Sequence, residues 1–175
     1  TVIYDAAHCF GTTFKGKSVF EFGDISTASF HATKLYHTVE GGGVFTNNES
    51  MLSRMFYMRN FGHDGPERFN GIGINAKNSE YHAAMGLCML PYMKEVLERR
   101  KDQYEYYRRE LESCPVTLQQ LHPESEINYS YFPVLFASEE TALHVKESLE
   151  QHQIFTRRYF YPSLNTLSYV DGKAP

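Results

Sequence analysis

Apolar and polar positions alternate in short runs at the start of the chain and give way to longer helical repeats further on. Residues 1–4 are mostly apolar and predict a buried strand that ends at Asp5. Gly11, Gly16 and Gly23 punctuate the next stretch, and Lys15 and Lys17 flank Gly16 as in a hairpin turn. Residues 25–31 predict a second strand and residues 43–46 a third. Asn47 or Asn48 can cap the helix that follows over residues 49–60, where Met51, Met55 and Met58 recur at helical spacing. Residues 61–77 are rich in Gly, Asn and Pro and predict a loop.

Ser79 caps a long helix. Its first part, residues 80–90, is small and apolar and is expected to be buried; Pro91 kinks or restarts it. Residues 93–111 are amphipathic and heavily charged, and Cys114-Pro115 ends the helix. Residues 127–137 show aromatic alternation and predict a strand. Ser138 caps a helix running to about residue 152, with Glu139 and Glu140 favourably placed in its first turn. Residues 155–161 predict a last strand, stopped by Pro162. Strands and helices alternate throughout, so the fold class is α/β. A domain boundary is expected near Tyr92, where a buried helix gives way to an exposed one.

Composition narrows the function classes. Of 175 residues 42% are apolar, enough for a substantial core. Net charge is −4 and no basic stripe is present, which argues against a nucleic-acid partner. The apolar run at residues 83–90 is too short to cross a bilayer, so no membrane partner is expected. Cys9, Cys88 and Cys114 form neither a CxxC nor a Cys/His pair at zinc spacing. They read as reduced thiols of a cytoplasmic protein without a metal site. Asn48-Glu49-Ser50 and Asn128-Tyr129-Ser130 match the glycosylation sequon and in that setting read as chance.

Four places could carry chemistry. Asp5 directly follows a strand, in Tyr4-Asp5-Ala6-Ala7-His8, where the alanines leave room for something flat beside the backbone. Ligands of α/β sheets gather beyond the carboxyl ends of strands, and a carboxylate there can pair with a protonated ring nitrogen. On position alone, a cap for the next turn is the commoner role for such an Asp. Lys34 closes Ser29-Phe30-His31-Ala32-Thr33-Lys34 at another strand end, where an amine can form a Schiff base. Alone, it reads more readily as a surface lysine. Glu40-Gly41-Gly42-Gly43 permits close approach of backbone to a ligand and is not a P-loop. Gly71-Ile72-Gly73-Ile74-Asn75-Ala76 matches GxGxxA but follows polar loop rather than strand, so it is not read as a dinucleotide site. His31, His37, His63 and His82 show no metal-ligand spacing.

Taken together, these segments resemble the DegT/DnrJ/EryC1/StrS aminotransferases. The resemblance rests on Asp5-Ala6-Ala7-His8, on Ser29 to Lys34, on Glu40-Gly41-Gly42 and on Gly73-Ile74-Asn75 followed by Ser79-Glu80 and Ala83-Ala84, in the family's order and at about its spacing. It extends to Arg157-Arg158-Tyr159-Phe160-Tyr161-Pro162. It implies part of a fold-type-I transferase dependent on pyridoxal 5'-phosphate. Residues 1–92 would be the C-terminal part of its large cofactor-binding domain, and residues 93–175 a small C-terminal α/β domain, incomplete at its end. Family members are about twice as long, so the N-terminal half and a short C-terminal piece are expected to lie outside this chain.

The resemblance also implies roles. Lys34 is the lysine that holds the cofactor, and Asp5 is the partner of the pyridine nitrogen. His8 lies beside the ring hydroxyl, a place many members fill with Gln. Ser29 is a phosphate ligand, and Asn75 a phosphate ligand donated across a homodimer interface. Taken alone, Asn75 reads equally as a turn residue before Ser79. Leu35 stands where members often have Asn, and Lys77 where they often have Arg, two departures that bear on phosphate and substrate contacts. The implied reaction moves an amino group from an amino acid, usually glutamate, to a nucleotide-linked keto sugar. A related dehydratase is the rival within the family, but those members replace the lysine with His. A non-catalytic relative or fragment, kept for binding or assembly, is the rival outside it.

Overall fold

The computed structural model describes residues 1–170. They form two compact units. The first comprises Thr1–Ser113 and Gln119–Pro133; the second comprises Cys114–Leu118 and the chain from Val134 onward.

The first unit is built on a three-stranded sheet of β1 (Ile3–Asp5), β4 (Ile25–Ser29) and β5 (Gly42–Phe45), in the order β1-β4-β5. β1 and β4 run parallel with Asp5 opposite Thr27, and β5 closes antiparallel with Gly42 opposite Ser29. β4 is central, and its alternation is that of a strand covered unequally on its two faces: Ser26 and Ala28 are buried, while Ile25, Thr27 and Ser29 are half-buried. Between β1 and β4 lies the hairpin of β2 (Thr13–Phe14) and β3 (Lys17–Ser18), which pairs through β2 with β7 (Ser125–Glu126).

The helix caps follow the sequence. Asn48 caps α1 (Glu49–Met58), its Oδ1 accepting from Met51 N–H at 3.0 Å. Ser79 caps α2 (Glu80–Met89), its Oγ accepting from His82 N–H at 3.3 Å. Pro91 lies in a single 3-10 turn, Leu90–Tyr92, and α3 (Met93–Glu110) restarts from it. α2 reaches the core by a close approach at Gly86. A Cβ there would stand 2.6 Å from the Tyr36 hydroxyl and 2.9 Å from Thr38 Cγ2.

Four expectations are corrected. The strand at residues 1–4 is exposed, with Ile3 at 62% and Tyr4 at 48%, and β1 lies at the edge of the sheet. The first part of the long helix is not buried either: in α2 only Gly86 is, and Tyr81 and Leu87 face outward. Residues 127–133 are irregular, and only β8 (Val134–Leu135) is extended. Tyr129 adopts φ +54°, buried Asn128 turns inward, and Pro133 has no N–H to give a ladder. Residues 155–161 pair with no strand among the described residues.

Within this chain the first compact unit runs from Thr1 to Ser113 before it is interrupted. α3 stays with the first unit because Tyr104, itself buried, packs its ring edge-on to Tyr129 and Phe132 at 5.4 and 4.9 Å. In the second unit β6 (Thr117–Leu118) pairs with β8, and Ser138 caps α4 (Glu139–Gln151). Arg158 binds Glu139 at 2.6 Å and lies over the Tyr161 ring at 3.5 Å.

Candidate active site

Because β1 and β4 are parallel, both deliver their carboxyl ends to one side of the sheet. Asp5 ends β1 and Ser29 ends β4. A small cleft there is lined by Ala7, His8, Phe10, Ser29, Lys34 and Leu35, among others.

Local hydrogen bonds explain how the chain after β4 brings Lys34 back to β1. Ser29 Oγ accepts from His31 N–H at 3.4 Å, His31 Nδ1 accepts from Thr33 N–H at 3.2 Å, and the His31 carbonyl accepts from Lys34 N–H at 2.9 Å. This winds residues 29–34 into a tight turn. Lys34, half-buried, then places Nζ 3.2 Å from His8 Nε2. Beneath the turn, Tyr36 stacks on Phe10 at 4.3 Å and meets Phe30 edge-on at 5.1 Å.

The electrostatics of the pair are directional. Burial lowers the His8 pKa below its ordinary 6.5, and the neighbouring Lys34 cation lowers it further, while Asp5 opposes both. A neutral ring can accept from Lys34 at Nε2; a protonated ring could not. Asp5 Oδ1 accepts from Ala7 N–H at 3.1 Å, so the carboxylate also caps the turn that carries His8. Burial pushes the Cys9 thiol up, which makes it a poor thiolate nucleophile.

Of the five residues predicted for the site, Lys34, His8 and Ser29 line one cleft, and Asp5 stands at the strand end three residues before His8. Asn75 is not brought to them. It lies in an antiparallel bridge with Asn60, exposed, its Oδ1 accepting from Lys77 Nζ at 2.9 Å. Its loop is held to the end of α1 by Ile74 N–H on the Met58 carbonyl at 2.7 Å and Ala76 N–H on the Arg59 carbonyl at 2.9 Å. The crossing of that loop requires Gly62, at φ +78°, where a Cβ would fall 2.1 Å from the Gly71 carbonyl oxygen. Ser130, Tyr131 and Asn128 also line the cleft, and the sequence reading missed all three. No spacing in the sequence links them to residues about 120 positions earlier.

The residues present suit pyridoxal phosphate: the Lys34 amine and the Ser29 hydroxyl line one cleft with Ala7 and Phe10, and the Asp5 carboxylate ends the neighbouring strand. The family model for the DegT/DnrJ/EryC1/StrS aminotransferase family matches residues 1–175. The chain belongs to this family. Among curated DegT/DnrJ/EryC1/StrS relatives, it is 38% identical over 164 residues to a dTDP-4-amino-4,6-dideoxy-D-glucose transaminase of Shigella dysenteriae, covering 92% of this chain and 45% of the relative. It is 33% identical over 166 residues to a GDP-perosamine synthase of Escherichia coli O157:H7, covering 92% and 44%. A crystal structure of DesI in the presence of its TDP-sugar product superposes with a TM-score of 0.86 at 34% identity, covering 99% of this chain and 46% of that one. The fold is therefore part of the fold type I of pyridoxal-phosphate-dependent transferases. The chain spans about half the length of the relatives it matches.

Proposed function

We propose that the whole protein is a pyridoxal-phosphate-dependent aminotransferase that moves an amino group from an amino acid, L-glutamate, to a nucleotide-linked keto-deoxy sugar. The amino sugar would serve cell-surface polysaccharide or glycoside biosynthesis. The observation that carries this reading is the Lys34 Nζ to His8 Nε2 contact at 3.2 Å, in a cleft that Ser29 also lines, with Asp5 ending the parallel strand beside it. The transaminase and synthase named among the relatives support the substrate class, and their differing dTDP and GDP carriers leave the nucleotide open.

When bound, the cofactor supplies an electron sink for the carbon that loses its proton. The chain's own residues do the rest. Lys34 Nζ would hold the cofactor and would serve as the amine that moves the proton. Asp5 keeps the ring nitrogen protonated, since a carboxylate beside a cation favours both charges. Ser29 Oγ, already accepting from His31 N–H, donates its own proton to the phosphate. His8, whose Nε2 is 3.2 Å from Nζ, would lie beside the ring hydroxyl.

In the whole protein we assign residues 1–92 to the large cofactor-binding domain and residues 93–175 to the small domain, although α3 packs with the first compact unit of this chain. Two copies form a homodimer in which Asn75 serves the neighbouring site. The three free thiols fit a cytoplasmic setting. No helix among the described residues is long and apolar enough to cross a membrane.

The test supplies full-length protein with L-glutamate and, in separate arms, dTDP-, GDP- and UDP-linked 4-keto-6-deoxy sugars. Mass spectrometry should find one arm yielding an amino sugar together with the 2-oxo acid, and Lys34→Ala yielding neither. No amino sugar in any arm would sink the substrate assignment; turnover by Lys34→Ala would sink the site.

A further inference from the structure

The segment between β1 and the β2–β3 hairpin carries His8, and its own hydrogen bonds hold it only in part. Cys9 N–H donates to the Ala6 carbonyl at 3.0 Å, and Thr12 N–H donates to the Cys9 carbonyl at 2.9 Å. The carbonyls of His8 and Phe10 go instead to Asn128. Its Nδ2 donates to the first at 2.7 Å and to the second at 2.8 Å, and its Oδ1 accepts from Ser130 N–H at 3.2 Å. Both N–H bonds of the amide are thus used, and the residue is 6% exposed.

This amide sits where it can aim a ring. Fixing the carbonyls of residues 8 and 10 fixes the backbone from which the His8 side chain projects. Beyond the clamp, Phe10 is held by its stack on Tyr36. On the other side, the segment that carries Asn128 also carries Tyr131, whose ring meets His8 edge-on at 5.1 Å.

We propose that Asn128 is a positioning residue: its amide clamps the His8 and Phe10 carbonyls and so sets His8 Nε2 against Lys34 Nζ. This rests on the reading of Lys34 and His8 as the groups that hold the cofactor. Removing the clamp leaves two part-buried carbonyls without the Asn128 donors, and the loop relieves this by turning them toward water, which carries His8 away from Lys34.

The test uses full-length Asn128→Ala and Asn128→Leu, the second keeping most of the volume without the donors. In cofactor-free protein, the His8 titration midpoint followed by NMR should rise toward 6.5 in both variants as the ring leaves the Lys34 cation. In loaded protein, kcat should fall about tenfold to a hundredfold, as expected when a reacting group is misplaced. In a His8→Gln background, Asn128→Ala should add little further loss. An unmoved His8 midpoint, or an undiminished Asn128→Ala effect in the His8→Gln background, would overturn the proposal. Global unfolding of both variants would overturn it too, since Asn128 would then belong to the fold and not to the site. If Lys34→Ala remains active while Asn128→Ala still moves the His8 midpoint, the functional reading fails and the clamp stands.

Discussion

Lys34 Nζ lies 3.2 Å from His8 Nε2, although 26 residues and a β-hairpin separate the two along the chain. The contact makes His8 a reporter of the site. Burial and the Lys34 cation both lower its pKa, in that order, and Asp5 raises it. In full-length, cofactor-free protein, the His8 midpoint should therefore lie below 6.5. Lys34→Ala should move it up, and Asp5→Asn should move it further down. NMR titration decides the point, and a wild-type midpoint above 6.5 would contradict the arrangement.

The same shift sets the sign of a pH effect on stability. The folded state binds the His8 proton less tightly than the unfolded state does. The contribution of the neutral ring is present above 6.5 and is lost as pH falls through the lower, folded value. His8 is exposed, so solvent screening keeps the effect small. Between pH 7 and pH 5, wild-type protein should lose slightly more Tm than His8→Gln does. A larger loss in the variant would contradict the assignment.

Gly86 permits the close approach of α2 to Tyr36 and Thr38. Gly86→Ala places a methyl group inside contact distance of both. Overpacking of this kind costs about 1–3 kcal/mol, against a helix-propensity gain of about 1 kcal/mol for Ala over Gly. Tm of the variant should fall, and an unchanged or raised Tm would show that α2 can shift without loss.

Local chemistry was legible in the sequence and long-range chemistry was not. Asn48 and Ser79 could be placed as caps because a cap acts on residues two or three positions away. The turn from Ser29 to Lys34 was not read: the strand expected over residues 25–31 ends at Ser29, and the family resemblance placed His8 beside the ring hydroxyl without pairing it with Lys34. Asn128 escaped notice because its work is done on carbonyls 118 and 120 residues earlier. The exposed β1 and the outward face of α2 were misread because apolar runs signal burial without saying which part of the protein provides the cover. The strand expected at residues 127–137 failed at Tyr129, whose positive φ no alternation pattern announces.

Asn75 stands apart from the cleft of its own chain, in keeping with service to a neighbouring subunit. Full-length Lys34→Ala and Asn75→Ala should each be nearly inactive. Mixed dimers of the two would collect both lesions in one site and neither in the other. Co-expression should then restore activity. Mixed dimers as dead as either parent would confine Asn75 to its own subunit or to the fold.

The central claim is that Lys34 holds the cofactor, and borohydride trapping tests it most directly. Full-length protein loaded with pyridoxal phosphate should be yellow. Reduction followed by peptide mapping should find the cofactor fixed to the peptide that contains Lys34. A label on Lys15, Lys17 or Lys77, with Lys34 unmodified, would contradict the account.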